Sequence, residues 1–385
     1  MTPADGTAPV TSAGPDPAFA GDFGPSGLPR ILVTGGRGQL GRTLGKSARG
    51  KAVALGSDEL DITDPWSVAS VLDAYAPEVV INAAAYTNVD GAESDEDGAA
   101  IVNIDGARNV AQGCADRGIR MIHISTDYVF SGQVPGGVDP ATAPGLQPHD
   151  PTGPVTVYGR TKLAGERAVH EELPEATILR TAWLYTGAWR VLENHPGSDF
   201  VATMIRLEAE RETLNVVNDQ WGSPTDVSTL TSQILEMLAA EKAGRIDTSG
   251  NIHHVTDAGR ATWFDLAQRV FRQLGADPER VRPCSSDEFP RPAPRPAFSV
   301  LEDTAWRSLG LSPLDDWTKS LFRGMVYFAS VRETEAEQVQ ATPSAGAAGT
   351  LSSSSSSDSV SPADGDGRSF GDSGDSGSSG GDAPR

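Results

Sequence analysis

Short apolar runs alternate with helical segments along the first half of the chain. The apolar runs are Ile31 to Thr34, then KAVALG, EVVINAAAY, IRMIHIST and ATILRTAW. Four helices are predicted between them. The first runs from Gln39 to Lys46, and the second begins after Asp64 as its cap, with Pro65 at its first position. The third runs from about Asp97 to Arg117, and the fourth covers VYGRTKLAGE. Uniformly apolar strands joined by helices are typical of a parallel sheet that is covered on both faces. The pattern therefore predicts an α/β protein with a Rossmann-type, doubly wound parallel sheet.

After Trp183 the alternation becomes less regular. The run TLNVVNDQWGSPT predicts a strand and a turn, and helices are expected near Ser228 to Leu238, Thr262 to Leu274 and Asp315 to Phe328. We expect an NAD(P)-binding Rossmann domain over residues 29–182 and a smaller mixed α/β lobe over residues 183–330, interleaved with the first. This lobe would bind substrate in a cleft at the carboxyl ends of the strands.

Both ends of the chain depart from this pattern. Residues 1–28 are rich in Pro, Gly and Ala, and residues 331–385 are rich in Ser, Gly and Asp. Such segments bury too little apolar surface to offset the entropy lost on ordering. The composition predicts a disordered N-terminal extension and a disordered tail.

The charge balance narrows the choice of partners. A formal net charge of -21 disfavours a nucleic acid or an anionic membrane as partner. No apolar run approaches membrane-spanning length, and the N-terminus lacks the basic and apolar regions of a secretory signal. Cys114 and Cys284 fit neither a metal-binding nor a disulfide spacing. We therefore expect a cytoplasmic protein without a bound metal.

The segment TGGRGQLG places Gly35, Gly38 and Gly41 between a strand and a helix. Glycines at this spacing let the backbone turn sharply and approach a pyrophosphate at the helix N-terminus, although a plain tight turn would show the same residues. The second strand ends in Gly56 and Ser57 rather than in an acid, and Arg37 lies within the loop. A small residue beside a guanidinium favours NADPH and leaves NADH possible, while a solvated surface arginine is the alternative for Arg37.

Two further segments carry candidate chemistry. In STDYVFSG, Ser125 and Thr126 could donate hydrogen bonds to a substrate carbonyl or could cap the local turn. In VYGRTKLAGE, Tyr158 and Lys162 share one helix face. An adjacent ammonium should lower the phenol pKa from about 10, so that the phenol can act as general acid towards a ketone oxygen. Thr126 would hold that same oxygen and stabilise its developing charge. The alternative for Tyr158 and Lys162 is an ordinary pair of surface residues.

Other candidates rank lower. We expect His123 to be packed rather than catalytic, and Cys114 to be a small core residue. The adjacent His253 and His254 would point to opposite faces of a strand and make a poor metal pair. Arg295 could bind a diphosphate or could neutralise the nearby acids Glu302 and Asp303.

Several motifs occur in a fixed order along the chain: TGGRGQLG, NAAAYTNVD, STDYVFSG, VYGRTKLAGE, RTAWLY, VVNDQWGSPT and RPAFSVLEDT. Together they resemble the dTDP-4-dehydrorhamnose reductases, which are extended short-chain dehydrogenase/reductases. The resemblance implies reduction of C4 of a dTDP-linked keto sugar by a reduced nicotinamide, the last step of dTDP-L-rhamnose synthesis. It also implies that Tyr158 donates the proton, that Lys162 supports it and binds the nicotinamide ribose, and that Thr126 lies at the carbonyl.

The resemblance also implies two sets of binding residues. The cofactor set is Gly35, Arg37, Gly38, Gln39, Leu40, Gly41, Asp61, Ile62, Ala83, Ala84, Ala85, Tyr158 and Lys162. The substrate set is Thr87, Val89, Trp183 and Arg295, with Trp183 as an apolar plate for a sugar face.

Some features depart from the family pattern. The run TGAWRVLENHPGS is an insertion near the expected substrate mouth, and the Pro- and Gly-rich loop before Tyr158 is long. Thr43 and Ser228 stand where some relatives carry glutamates for an intersubunit metal. A 4-ketoreductase for another dTDP-deoxysugar and a non-catalytic dinucleotide-binding regulatory subunit remain as alternatives, and a homodimer is left open.

Overall fold

A computed structural model of the chain describes residues 27–186 and 199–326. The predicted disorder of the N-terminal extension and of the tail therefore lies outside the described residues, apart from residues 27 and 28. Most of the insertion TGAWRVLENHPGS also lies outside them.

The centre of the fold is a six-stranded parallel sheet in the order β10-β5-β4-β3-β1-β2. Its strands are β1 (Ile31–Thr34), β2 (Ala52–Leu55), β3 (Val79–Asn82), β4 (Arg120–Thr126), β5 (Thr177–Thr181) and β10 (Ile252–His254). All residues of β1, β3 and β5 are buried. The five strands expected from the apolar runs are all present, and the prediction of a doubly wound Rossmann-type fold is confirmed.

Helices cover the sheet on both sides. They are α1 (Gln39–Ser47), α2 (Pro65–Tyr75), α3 (Val89–Ala92), α4 (Glu96–Ala100), α5 (Ala107–Ala115) and α6 (Val157–Glu172). Asp64 caps α2 by accepting from the Trp66 backbone N–H, as predicted. One apolar core combines Ile31, Val33 and Leu44 with later parts of the chain, and a second combines Leu32, Leu72 and Val110. Alternate residues of β1 thus face opposite layers, which is why this strand is apolar throughout.

The sixth strand, β10, escaped the sequence analysis. It pairs in parallel with β5, His253 lying opposite Leu179. The strand is three residues long and two of them are histidines, so no apolar run marks it. Its position depends on a partner far away in the sequence, which local patterning does not report.

The helical stretch predicted from about Asp97 to Arg117 is present, and its middle is π-helical rather than α-helical. A π-helical turn at Ile101–Gly106 separates α4 from α5. This turn contains Asn103, which is buried. The Asn103 side chain accepts from the Tyr86 backbone N–H at 2.9 Å and donates to Thr161 Oγ1 at 3.0 Å. Such bulges are frequent at functional sites, and here the turn is tied to both α6 and the segment after β3.

The second half of the chain builds further short elements. They are β6 (Leu184–Tyr185), α7 (Phe200–Glu210), β7 (Leu214–Val217), β8 (Trp221–Gly222), β9 (Thr225–Asp226), α8 (Val227–Lys242), β11 (Ala261–Thr262), α9 (Trp263–Gln273), β12 (Val281–Cys284), α10 (Thr304–Ser308) and α11 (317–326). A separate core contains Val201, Phe271 and Trp317. Leu230 and Ile234 of α8 instead pack in the core of the central sheet. The boundary between residues 182 and 183 stays a prediction.

No helix in the two described ranges is long and apolar enough to cross a membrane.

A buried ion pair joins α6 to β5. Arg180 donates to Glu166 through Nε at 2.8 Å and through Nη2 at 2.7 Å, and the two side chains are only 2% and 3% exposed. A further Arg180 nitrogen donates to the Pro148 carbonyl at 3.0 Å. The guanidinium is thus satisfied by a bidentate partner and by the loop that precedes α6.

Removal of the Glu166 charge should destabilise the fold strongly. Glu166→Gln leaves the Arg180 cation buried without its counter-ion, which typically costs about 3–5 kcal/mol in the free energy of unfolding. Urea unfolding of the purified variant measures this loss. Glu210→Gln breaks the exposed Arg206–Glu210 pair and is the matched control, with an expected cost of about 0–1 kcal/mol. Equal losses in both variants would contradict the role given to the buried pair.

Candidate active site

The glycine loop between β1 and α1 has the shape of an anion cradle. A Cβ atom at Gly35 would lie 2.8 Å from the Ala83 carbonyl oxygen, and one at Gly41 would lie 2.4 Å from the Gly35 carbonyl oxygen. No side chain caps the N-terminus of α1, where Gly38 is the cap residue. Backbone N–H groups at an uncapped helix N-terminus suit a pyrophosphate, and the missing side chains let it approach. These residues therefore fit a dinucleotide.

Arg37 lies over the end of β2. A Cβ atom at Gly56 would lie 2.8 Å from Arg37 Nε and also 2.8 Å from Asp58 Oδ1. Arg37 and Asp58 form an ion pair, and both side chains are more than half exposed. The sequence has no acid at the end of β2 itself, and Asp58, which lies beyond that end, was not predicted as a partner of Arg37. The guanidinium available to a 2′-phosphate thus starts out paired with a carboxylate.

The remaining cofactor candidates fall into two groups. Ala83, Ala84 and Ala85 follow β3, and the Ala84 N–H donates to Thr34 Oγ1 at 3.1 Å, beside the glycine loop. Ile62 is buried in the core formed with α2 and α5. Asp61 is exposed and accepts from Thr63 in a local turn at 2.9 Å.

Tyr158 and Thr126 are brought together at the carboxyl edge of the sheet. Tyr158 lies in the first turn of α6, which begins after a Thr156 cap, and Thr126 is the last residue of β4. The Thr126 side chain lies close enough to the Tyr158 phenol to act on its pKa as a hydrogen-bonding neighbour. Tyr158 is buried and packs edge-to-face on Tyr128, with ring centroids 5.5 Å apart. The two hydroxyl groups are therefore placed to meet one substrate oxygen.

Lys162 lies one turn further along α6 and is 2% exposed. Its Nζ donates to the Ile124 carbonyl of β4 at 2.8 Å and lies 3.5 Å from His123 Nε2. Burial lowers the pKa of Lys162 to about 8, against an opposing effect of the Glu166 carboxylate. A buried amine of this kind holds its proton less tightly than a surface lysine does.

The expected lowering of the Tyr158 pKa is wrong for this structure. Burial raises the pKa of the phenol to about 12, and the Asp127 charge acts in the same direction. The Thr126 side chain opposes this rise without overcoming it. The Lys162 charge does not offset the desolvation of the phenol.

Asp127 is a functional candidate that sequence analysis assigned only to turn capping. It is 3% exposed, and its Oδ1 accepts from Thr126 Oγ1 at 3.0 Å. Its Oδ2 has no hydrogen-bond partner within the described ranges. Burial raises the pKa of Asp127 to about 6, although hydrogen bonds from Ser299 and Thr126 lower it. The signal in the sequence was a carboxyl group directly after Thr126 at the end of a buried strand.

The substrate candidates lie around this centre in different ways. Val89 packs in the small cluster that contains Tyr158, whereas Thr87 is exposed. Arg295 pairs with Asp90 of α3 at 2.8 Å, and Asp90 also accepts from the Ala293 N–H at 3.2 Å. Arg295 does not neutralise the acids suggested as its alternative partners. Glu302 lies 3.8 Å from Arg260, and Asp303 binds His253 at 2.8 Å.

Trp183 follows β5 in a left-handed backbone conformation, with φ of 45°. Its ring stacks on Trp263 with centroids 3.5 Å apart, and a Cβ atom at Gly222 would lie 2.3 Å from the indole. Such a conformation is costly for a bulky residue and is retained only where neighbours enforce it. Trp263 already covers one face of this indole. The role of Trp183 as an apolar plate for a sugar face stays a prediction.

The lower-ranked candidates serve packing. Cys114 is a core residue, as predicted, and burial raises the pKa of its thiol to about 12. His253 and His254 bond to Asp303 Oδ2 and to the Leu146 carbonyl, respectively.

The loop before α6 is fixed by Arg260, which donates to the Pro140 and Ala143 carbonyls.

The site can be compared with known proteins. Residues 29–328 match the RmlD substrate binding domain. The chain is 45% identical over 295 residues to the dTDP-4-dehydrorhamnose reductase of Mycobacterium tuberculosis, which covers 76% of this chain and 91% of the relative. It is 44% identical over 296 residues to the dTDP-4-keto-6-deoxy-D-glucose reductase of Streptomyces niveus, which covers 76% of this chain and 95% of the relative.

A solved structure agrees with these relatives. The dTDP-4-dehydrorhamnose reductase of Bacillus anthracis, in complex with NADP, superposes with a TM-score of 0.69 at 34% identity. It covers 78% of this chain and 99% of that chain. The resemblance drawn from the motifs is thereby confirmed, and the chain belongs to the RmlD family of dTDP-4-dehydrorhamnose reductases and their relatives.

Proposed function

We propose that this protein is an oxidoreductase that reduces the C4 ketone of dTDP-4-dehydrorhamnose to dTDP-L-rhamnose with NADPH. The observation that carries the proposal is the meeting of Thr126, Tyr158 and Lys162 at the carboxyl edge of the sheet, beside a glycine cradle that fits a dinucleotide. Relatives named dTDP-4-dehydrorhamnose reductase, one of them solved in complex with NADP, support the same reaction. A non-catalytic regulatory subunit would have no need of this arrangement.

The chain's own groups divide the work of the reaction. When bound, the reduced nicotinamide supplies the hydride that C4 receives. Tyr158 gives its phenolic proton to the ketone oxygen, and a pKa of about 12 keeps that proton in place at neutral pH until it is needed. Thr126 donates to the same oxygen and stabilises its developing charge. Lys162 orients the ribose and lies one helical turn from the phenol.

The residues proposed to hold the cofactor follow from the cradle. Gly35, Gly38 and Gly41 leave room for the pyrophosphate, and the N–H groups of Gln39 and Leu40 lie in the first turn of α1. Arg37 would accept the 2′-phosphate of NADPH. Ile62 and the segment Ala83 to Ala85 would line the adenosine and nicotinamide ends.

The proposed substrate residues come from several separate segments of the chain. Val89 adjoins Tyr158, Trp183 would contact the sugar with the part of its indole that Trp263 leaves open, and Arg295 would bind the diphosphate. Thr87 completes the set. We further propose that the enzyme acts in the cytoplasm.

A second candidate substrate has a specific observation in its favour. The Streptomyces niveus relative, named for dTDP-4-keto-6-deoxy-D-glucose, is about as similar to this chain as the rhamnose reductase of Mycobacterium tuberculosis. Both substrates carry a C4 ketone on a dTDP-linked 6-deoxyhexose, so the same catalytic groups serve either.

A direct comparison of the two sugars tests the proposal. We expect NADPH consumption and formation of dTDP-L-rhamnose with dTDP-4-dehydrorhamnose, at a kcat/KM at least tenfold above that for dTDP-4-keto-6-deoxy-D-glucose, because one mismatched sugar contact is worth roughly 1–3 kcal/mol. Chromatography of the nucleotide sugars identifies the product. The reverse order of kcat/KM would select the second substrate, and folded protein inactive on both would refute the reductase proposal.

Removal of the Tyr158 hydroxyl should abolish most of the turnover. Tyr158→Phe should lower kcat by roughly 100-fold or more, since general-acid catalysis typically contributes that much. NADPH affinity, measured by fluorescence titration, should change little. Tyr75→Phe, at the end of α2, is the matched control and should retain wild-type turnover. Normal kcat in Tyr158→Phe would exclude Tyr158 as the proton donor.

The Arg37–Asp58 pair should set the choice between NADPH and NADH. Arg37→Ala should raise KM for NADPH roughly tenfold, because a hydrogen bond to a charged group is worth about 1.5–3 kcal/mol, and should leave KM for NADH nearly unchanged. Asp58→Asn frees the guanidinium and removes a negative charge, so it should lower KM for NADPH. Steady-state kinetics with both cofactors check the opposite directions. Parallel changes in the two variants would exclude competition for Arg37.

A further inference from the structure

A row of buried polar side chains crosses the sheet and ends at Lys162. Thr34 of β1 lies opposite Asn82 of β3, and Asn82 lies opposite His123 of β4. These three side chains are 1%, 0% and 1% exposed, respectively. Polar groups at such depth need hydrogen-bond partners, and these three lie beside one another on adjacent strands.

The first link of the row has a fixed direction. Thr34 Oγ1 already accepts the Ala84 backbone N–H at 3.1 Å, so its own hydrogen is free to be donated. Thr34 Oγ1 lies 2.6 Å from the side-chain oxygen of Asn82. That distance is typical of an O–H···O bond and shorter than most N–H···O bonds, so the threonine donates and the Asn82 carbonyl accepts.

The direction then passes to the histidine ring. With the Asn82 oxygen turned to Thr34, the Asn82 amide nitrogen faces His123 Nδ1 at 3.2 Å and donates to it. Burial holds the pKa of His123 well below its usual range, so the ring is neutral. A neutral imidazole that accepts at Nδ1 carries its hydrogen on Nε2. This nitrogen lies 3.5 Å from Lys162 Nζ.

We propose that His123 is a positioning residue for Lys162, and that Thr34 and Asn82 hold its ring as the Nε2–H tautomer so that this N–H points at Nζ and opposes protonation of the amine. The proposal extends the proposed function, from which it takes the catalytic role of Lys162. The row begins at Ala84, in the segment proposed to line the cofactor, so it links that backbone to the lysine.

The surroundings of Nζ favour the neutral amine more than water does, in line with a pKa of about 8. A neutral Nζ donates to the Ile124 carbonyl at 2.8 Å and offers its lone pair to the His123 N–H. The charged groups around it leave this balance in place. Glu166 favours the ammonium from the same helix, but its two oxygens are bound by Arg180 of β5. Tyr158 on α6 stays neutral, and His170 is a lesser cause of the lowered pKa of His123 than burial is.

The tautomer of His123 can be read directly. The sequence contains six histidines, and protein labelled with ¹⁵N-histidine gives ring-nitrogen shifts that separate the two neutral tautomers from the imidazolium. His123→Gln assigns the signals by their loss. We expect the Nε2–H form at every pH from about 6 to 9, on both sides of the ordinary histidine pKa. An Nδ1–H tautomer or an imidazolium at neutral pH would overturn the proposal.

The effect on Lys162 is measured with ¹³Cε-lysine, with Lys319 as an exposed internal reference. His123→Leu removes the opposing N–H, so the titration midpoint of Lys162 should rise by about one pH unit. His123→Gln keeps an amide N–H donor and should stay close to wild type. If His123 served only to bury the amine, the apolar leucine would lower the midpoint or leave it unchanged, and that result would refute the proposal.

A second pair of variants tests the row from its other end. Thr34→Val removes the donor to Asn82, so His123 should lose its fixed tautomer and the Lys162 midpoint should rise, whereas Thr34→Ser should preserve both. An unchanged His123 tautomer in folded Thr34→Val would show that the row does not set it. Neither measurement requires substrate, so failure of the reductase assay would leave this test intact. In active enzyme, the alkaline limb of the kcat/KM profile should move with the Lys162 midpoint.

Discussion

The burial of the Lys162 amine is the constraint to which the rest of the site is fitted. An amine removed from water costs several kcal/mol unless hydrogen bonds replace its hydration. The Ile124 carbonyl provides one such bond, which requires α6 to lie close against β4. Gly165 permits a similarly close approach on the other side, because a Cβ atom there would lie 2.1 Å from the Asn103 carbonyl oxygen. The π-helical turn that carries Asn103 completes this packing.

The same burial separates the two proton-binding groups of α6. It raises the pKa of Tyr158 to about 12 and lowers that of Lys162 to about 8, since in each case the charged form is disfavoured. The phenol therefore holds its proton at neutral pH. A reduction needs this form, because the ketone oxygen gains negative charge and takes a proton. The predicted lowering of the Tyr158 pKa considered only the Lys162 charge and omitted the desolvation of both groups.

Local patterns predicted most of the sheet and the central site residues. Apolar runs revealed β1 to β5, and the spacing of Tyr158 and Lys162 placed both on one helix face. Long-range pairing decided what these patterns missed. β10 depends on β5, the partner of Arg37 is Asp58 beyond the next strand, and Arg295 binds Asp90 from far away in the sequence. His123 was correctly expected to be buried, but its link to Lys162 arises only when β1, β3 and β4 lie side by side.

In the proposed function, catalysis and sugar choice rest on different parts of the fold. Thr126, Tyr158 and Lys162 lie on β4 and α6, where the sheet and the buried Glu166–Arg180 pair hold them. The candidates for sugar recognition lie instead on the segments that follow strands, at Val89, Trp183 and Arg295. Such segments can change while the sheet stays intact. This division explains how relatives of nearly equal similarity to this chain carry the names of reductases for different dTDP-sugars. We therefore propose that substrate choice is made at the Trp183–Trp263 stack and the Asp90–Arg295 pair rather than at the proposed catalytic residues.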